Sequence, residues 1–155
     1  NFRALATAAG QYPVATAANT IVARGPVSSM LTTNAGTTTS TSYTATLSGT
    51  PGTNPSVTVT TGTRAKVTYG ARVSNQTNGA ASLMSVAVSG ATTIAASDDY
   101  AHMAEHGTSL NDEFQFTQTH LFTTLTPGSN TFTLQYKAGS GTGAWSRREI
   151  IVEPY

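Results

Sequence analysis

The chain has no cysteine, very little charge and no apolar run long enough to span a membrane. Each absence removes a class of protein. Without cysteine there are no disulfides, and redox chemistry does not mark a compartment. No stretch approaches the roughly 18 apolar residues of a transmembrane helix, so membrane insertion is not expected. Charged residues make up 10% of the sequence, against roughly 25% in ordinary globular domains. The net charge of +1 supplies neither a basic field for nucleic acid nor an acidic one for cations. Neither a signal peptide nor a starting Met opens the sequence, and Asn1 reads as a processed end.

What is present is threonine: 30 of 155 residues. Threonine is β-branched and suits a pleated, solvated surface, which favours strands over helices. The length fits one domain that buries roughly two-thirds of its unfolded surface. The C-terminal stretch carries the clearest pattern. Thr131 to Lys137 alternates without a fault, with Phe132, Leu134 and Tyr136 on one face and Thr131, Thr133, Gln135 and Lys137 on the other. Leu121 to Thr126 alternates before it, and Pro127-Gly128-Ser129-Asn130 reads as the turn of a hairpin. A last run, Trp145 to Val152, is expected in the middle of a sheet, because a terminal edge strand frays.

Upstream, Arg64 to Ser74 places Ala65, Val67, Tyr69, Ala71 and Val73 on one side. Leu83 to Ser89 turns Met84, Val86 and Val88 inward. Shorter strands are expected over Ser28 to Thr33, Thr37 to Leu47, Ser56 to Thr60 and Thr92 to Ala96. About eight strands at spacings of roughly 8–12 residues predict an all-β, antiparallel jelly-roll sandwich over residues 28–155. Residues 1–27 differ. They are poor in large hydrophobes, and Gly10 and Pro13 interrupt any helix, so they read as an extended N-terminal arm or linker. Its few anchoring groups are Tyr12, Val14, Ile21 and Val22, with Pro13 holding the segment extended.

Five of the seven acidic residues and two of the three histidines fall between Ser97 and Glu113. Ser97 can cap a helix whose first turn holds Asp98 and Asp99, and Gly107 can end it. On such a helix His102 and His106 share a face, as two metal ligands would. There is no Glu beside the first His and no third ligand at matching spacing. Asp98, Asp99, Asn111, Asp112 and Glu113 are hard oxygen donors but lack the D-x-D-x-D-G run of a calcium loop. No metal or other cofactor is assigned. Carboxylate pairs can hydrolyse glycosidic bonds, yet nothing places an acid in an apolar pocket. No Ser-His-Asp order, phosphate loop or nucleotide fingerprint occurs, so no catalytic residue is assigned and the chain reads as a non-enzyme. Asn75-Gln76-Thr77 is a glycosylation sequon in a predicted turn. Trp145, Tyr100 and Tyr155 could stack on a sugar, though a lone strand Trp is more often core or interface.

Several segments resemble a module of tailed-bacteriophage virions found in tail-fibre, minor tail and head-surface proteins. They are Thr37 to Tyr43, Ser56 to Thr63, Ala87 to Thr92, Leu125 to Tyr136, Gly141 to Gly143, Ser146 to Arg148 and Ile150 to Val152. The arm around Tyr12 to Asn19 is similar to phage connecting segments. The resemblance implies a homotrimeric jelly roll on the virion surface, similar to the compact trimers of complement and tumour-necrosis-factor type. Tyr69, Tyr136, Trp145, Arg147 and Arg148 are then the expected subunit contacts. Two functions follow from it. One is a tail fibre or minor tail protein that binds a host-surface glycan or protein. The other is a capsid decoration protein that attaches to the head shell through its arm and stabilises it.

Overall fold

The computed structural model describes residues 10–17, 20–105, 107 and 112–155, with the side chains of residues 14–22 excepted. It is an antiparallel β-sandwich. Strand β1 (Tyr12–Ala17) pairs with β2 (Thr20–Arg24) as a two-stranded ribbon. There follow β3 (Val27–Leu31), β4 (Gly36–Thr38), β5 (Ser48–Gly49), β6 (Ser56–Thr61), β7 (Ala65–Asn75) and β8 (Ala81–Gly90). The chain continues with β9 (His102–Glu105), β10 (Phe114–Phe122), β11 (Gly128–Ala138) and β12 (Gly143–Pro154). One sheet has the order β10-β7-β12-β4-β5, with β3 also on β12; the other runs β6-β11-β8-β9.

The core is the alternation read off the two longest strands. On β7, Ala65, Val67, Tyr69, Ala71 and Val73 turn inward, and on β11 Phe132, Leu134 and Tyr136 meet them, all essentially inaccessible. The outward residues of β11 meet hydroxyls on its neighbour: Thr131 Oγ1 lies 2.8 Å from that of Thr58, and Thr133 Oγ1 2.9 Å from Ser56 Oγ. Those pairs are what the threonine bias builds, side-chain hydrogen bonding across strands on the wet face.

β12 is central, with β7 on one side and β3 and β4 on the other. Its register on β7 shifts between Ser146 and Glu149, so Arg147 and Arg148 together oppose Ala71. Arg147 has φ of 49°, the left-handed region, in which a side chain is strained. This bulge changes the parity of the strand: Trp145 points inward before it, Arg148, Ile150 and Val152 after it.

Three expectations are corrected. Leu121 to Tyr136 is no hairpin. β10 pairs with β7, while β11 pairs with β6 and β8 in the opposite sheet, so residues 123–127 cross between layers. Asn130 organises that crossing from a buried position. Its Nδ2 donates to Thr61 Oγ1 (2.7 Å) and the Thr126 carbonyl (3.1 Å), and its Oδ1 accepts from the Thr92 amide (2.8 Å). Thr37 to Leu47 is no single strand either, because β4 ends at Thr38 and Thr44 bridges Tyr136 in the other sheet. The helix expected after Ser97 is one 3₁₀ turn, Asp98–Tyr100; the Ser97 cap on the Asp99 amide forms, and Ala101 is already extended.

Candidate functional site

Loss of that helix removes the geometry that set His102 and His106 on one face. His102 lies on β9, buried; His106 and Asn111 lie outside the described residues. Among the described residues no three His, Asp or Glu side chains converge as metal ligands would. The acidic stretch is occupied locally instead. Lys137 Nζ sits 2.8 and 2.6 Å from the two Asp98 oxygens, and the Tyr43 hydroxyl donates to the first at 2.7 Å. Those bonds, Lys137 first, hold the Asp98 carboxyl below the usual carboxylate range. Asp99 accepts from the Ser97 hydroxyl (2.9 Å), and Glu113 pairs with Arg72.

The sequon is not on the surface. Asn75 is fully buried, its Oδ1 accepting from the Thr77 amide (2.9 Å) and its Nδ2 donating to Ser82 Oγ (3.0 Å). It is a structural turn residue that an oligosaccharide could not reach.

Four of the five expected subunit contacts also lie inside. Tyr69, Tyr136, Trp145 and Arg148 are enclosed between the chain's own two sheets, because their strand positions face inward. The Tyr69 hydroxyl donates to the Tyr100 carbonyl, and the Tyr136 ring meets Trp145 at 5.3 Å. Arg148 donates to the Tyr136 hydroxyl (3.2 Å) and to the Pro51 carbonyl. Burial pushes the Tyr136 hydroxyl up to about 12. Only Arg147, thrown outward by the bulge, remains on the surface. In the arm, Pro13 is exposed and the Tyr12 hydroxyl donates to the Pro154 carbonyl (3.2 Å); the side chains of Val14, Ile21 and Val22 lie outside the described residues.

The surface that remains is the outer face of the larger sheet. At one end Arg147 stands over a groove of about 400 Å³ with Met30, Thr32, Thr33, Gln115 and Glu149. At the other end a groove of about 420 Å³ is lined by Arg64, Lys66, Thr119, Leu121 and Tyr155. Lys66 pairs with Glu153 at 2.7 Å. Gly70 lies between the grooves, where a Cβ would stand 2.7 Å from the Phe116 carbonyl oxygen, so a side chain there would push β10 away. Hydroxyl, amide, guanidinium and carboxylate groups share this face with exposed Met30 and Leu121. It offers polar and apolar contact, and it pairs no nucleophile with a base. The sequence hides this face because β10 mixes two signals: Leu121 points outward, and Phe116 lies at the rim of the inward row.

His102 makes one solution property testable. Its ring lies 4.9 Å from Phe116, and neither ring nitrogen has a hydrogen-bond partner among the described residues. Burial pushes its pKa below the ordinary 6.5. The unfolded chain therefore binds the proton first, and stability falls as pH drops from about 6.5 toward the folded value. His120, stacked on Tyr100 at 4.6 Å and also lowered by burial, adds in the same direction. The melting temperature is expected to fall between about pH 7 and pH 5, and His102→Leu to flatten most of that slope. An unchanged slope in the variant would exclude His102 as its source.

No family model and no curated protein matches the chain in sequence. Solved structures match its architecture. The infectious bursal disease virus VP2 protein, in a subviral particle, aligns with a TM-score of 0.54 at 11% identity, over 94% of this chain and 38% of that one. The likeness is one of fold. Two further structures, of the Gx and Gt strains of that virus, give TM-scores of 0.48 and 0.45 at 10% and 14% identity. Each alignment covers 90% of this chain and 35% of the other. This chain thus spans little more than a third of the length of these neighbours, and none of the three is a tailed-phage protein.

Proposed function

We propose that the chain is a non-enzymatic structural module on the surface of a virus particle, held there through its N-terminal segment. The observation that carries this reading is the fold likeness to VP2, a protein its structure describes in a subviral particle, across 94% of this chain. The sequence resemblance to tailed-phage surface modules supports the same class from an independent direction. A low-charge, threonine-clad sandwich whose Asp98, Glu113, Tyr136 and Trp145 side chains are engaged in internal contacts suits a particle component. In this reading residues 1–27 bind a neighbouring shell protein and the sandwich faces outward, the arrangement of a decoration protein.

The test is deletion of residues 1–22 followed by assembly with particles. The sandwich should survive. Among the described residues, the Tyr12 hydrogen bond to Pro154 ties this segment to β12, and its removal should cost about 1 kcal/mol, or roughly 2–4 °C in melting temperature. Incorporation should be abolished. Normal occupancy of the shortened protein would move attachment to the sandwich. Inhibition of host adsorption by the soluble protein would favour the tail-fibre reading, in which the outer face or loops bind a host glycan or protein.

A further inference from the structure

Among the described residues, strand β10 lacks the devices that normally protect a sheet edge. It pairs with β7 through nine consecutive positions, Phe114↔Val73 to Phe122↔Ala65, with no bulge. It is the last strand of its sheet, with no further strand beside it among the described residues. From Gln115 to Phe122 it contains no Lys, Arg, Asp, Glu or Pro. Edges are ordinarily blunted by such residues or by bulges, because an exposed ladder recruits another strand. Large apolar groups stand open along it: Phe116 is 40% and Leu121 46% exposed, and Met103 on the adjoining edge strand β9 is 58% exposed.

The two ends of this edge carry opposite charge. Asp112 and Glu113 precede it. At the far end lies Arg64, one register step beyond Phe122↔Ala65, with no ion pair among the described residues. We propose that β10 binds a second copy of this chain, antiparallel, about a two-fold axis at Gln118, an inference that stands on the edge itself and not on the virion reading. Antiparallel docking sets each acidic end, where Asp112 precedes the Glu113–Arg72 pair, beside the other copy's basic end at Arg64, whereas parallel docking opposes like charges. The same register sets Thr117 against the partner's Thr119 and Phe116 against the partner's His120. Both pair types already occur within the chain. Thr68 and Thr119 hydroxyls meet at 3.0 Å, and the His120 ring lies 4.7 Å from Phe122. β9 borders β10 on this side, with His102 against Phe116, and a stable isologous dimer needs roughly 1,200 Å² or more of contact.

Light scattering on the full chain at micromolar concentration should give twice the 16.0 kDa chain mass. The double substitution Thr117→Lys with Thr119→Lys opposes like charges at two points and should return the monomer mass. Thr117→Lys with Thr119→Glu opposes unlike charges at the same points and should keep the dimer. Both positions are solvent-exposed, and a single cooperative melting transition shows that each variant folds. Independently of the variants, amide exchange across Gln115 to Leu121 in the unmodified chain should quicken on dilution. A wild-type monomer or trimer, a dimer that survives the two lysines, or β10 amides protected only when another polypeptide is added would each overturn the proposal.

Discussion

Trp145→Ala should cost about 3–5 kcal/mol, the range for removing a large buried aromatic. In a domain of this length that is about 6–20 °C in melting temperature. The indole is fully buried, flanked by the Tyr136 ring at 5.3 Å, and it seats against Gly143, where a Cβ would come within 2.5 Å of it. Its Nε1 has no hydrogen-bond partner among the described residues. The residue therefore acts through volume, and the unpartnered N–H is a cost of about 1–3 kcal/mol that Phe would not carry. Trp145→Phe should lose no more than about 2 kcal/mol, since the lost ring area and the relieved N–H offset each other. Denaturant unfolding of the two variants checks this. Equal losses in both would show that the N–H, not the ring, holds the site.

Both the reach and the limit of the sequence show on β12. Its central place agrees with the expectation, and the pairing with β7, β3 and β4 provides it. The inward faces of β7 and β11 are legible, where the sequence alternates over Arg64 to Ser74 and over Thr131 to Lys137. The bulge is not legible. Ser146-Arg147-Arg148 contains no glycine, proline or asparagine to mark a left-handed residue, so two adjacent arginines read as one exposed pair. One extra residue sends Arg147 to the surface and Arg148 into the core. The turn at Pro127 to Asn130 fails for a related reason. Local turn chemistry fixes a change of direction, whereas the choice of sheet depends on the buried Asn130 bonds to Thr61 and Thr92, far away in sequence. The helix after Ser97 shows the same limit, since a correct cap does not supply the packing that extends a single turn. For the candidate surface, composition exposes the lack of charge but not its placement. That β10 is an edge follows only from the pairing.

Arg148→Ala should destabilise the sandwich by about 3–5 kcal/mol, and Arg148→Met by no more than about 2 kcal/mol. The side chain is 1% exposed, and no carboxylate pairs with it among the described residues. Neutral groups surround its charge: the Pro51 carbonyl, the Tyr136 hydroxyl at 3.2 Å and the Tyr136 ring, 5.7 Å from the guanidinium carbon. Alanine would leave both a cavity and an unsatisfied Pro51 carbonyl. Methionine would fill most of the volume and remove a charge that is costly to desolvate, leaving chiefly the carbonyl without its donor. The Tyr136 hydroxyl keeps its bond to Asn54 Oδ1 at 2.7 Å in either variant. A second readout separates charge from packing. Arg148 draws the Tyr136 pKa down against burial, so both substitutions should move the ultraviolet titration of Tyr136 upward, whatever their stability. A methionine variant as unstable as the alanine one would mean that the guanidinium hydrogen bonds hold the Pro51 loop. An unmoved Tyr136 titration would mean that Arg148 does not sit against that hydroxyl.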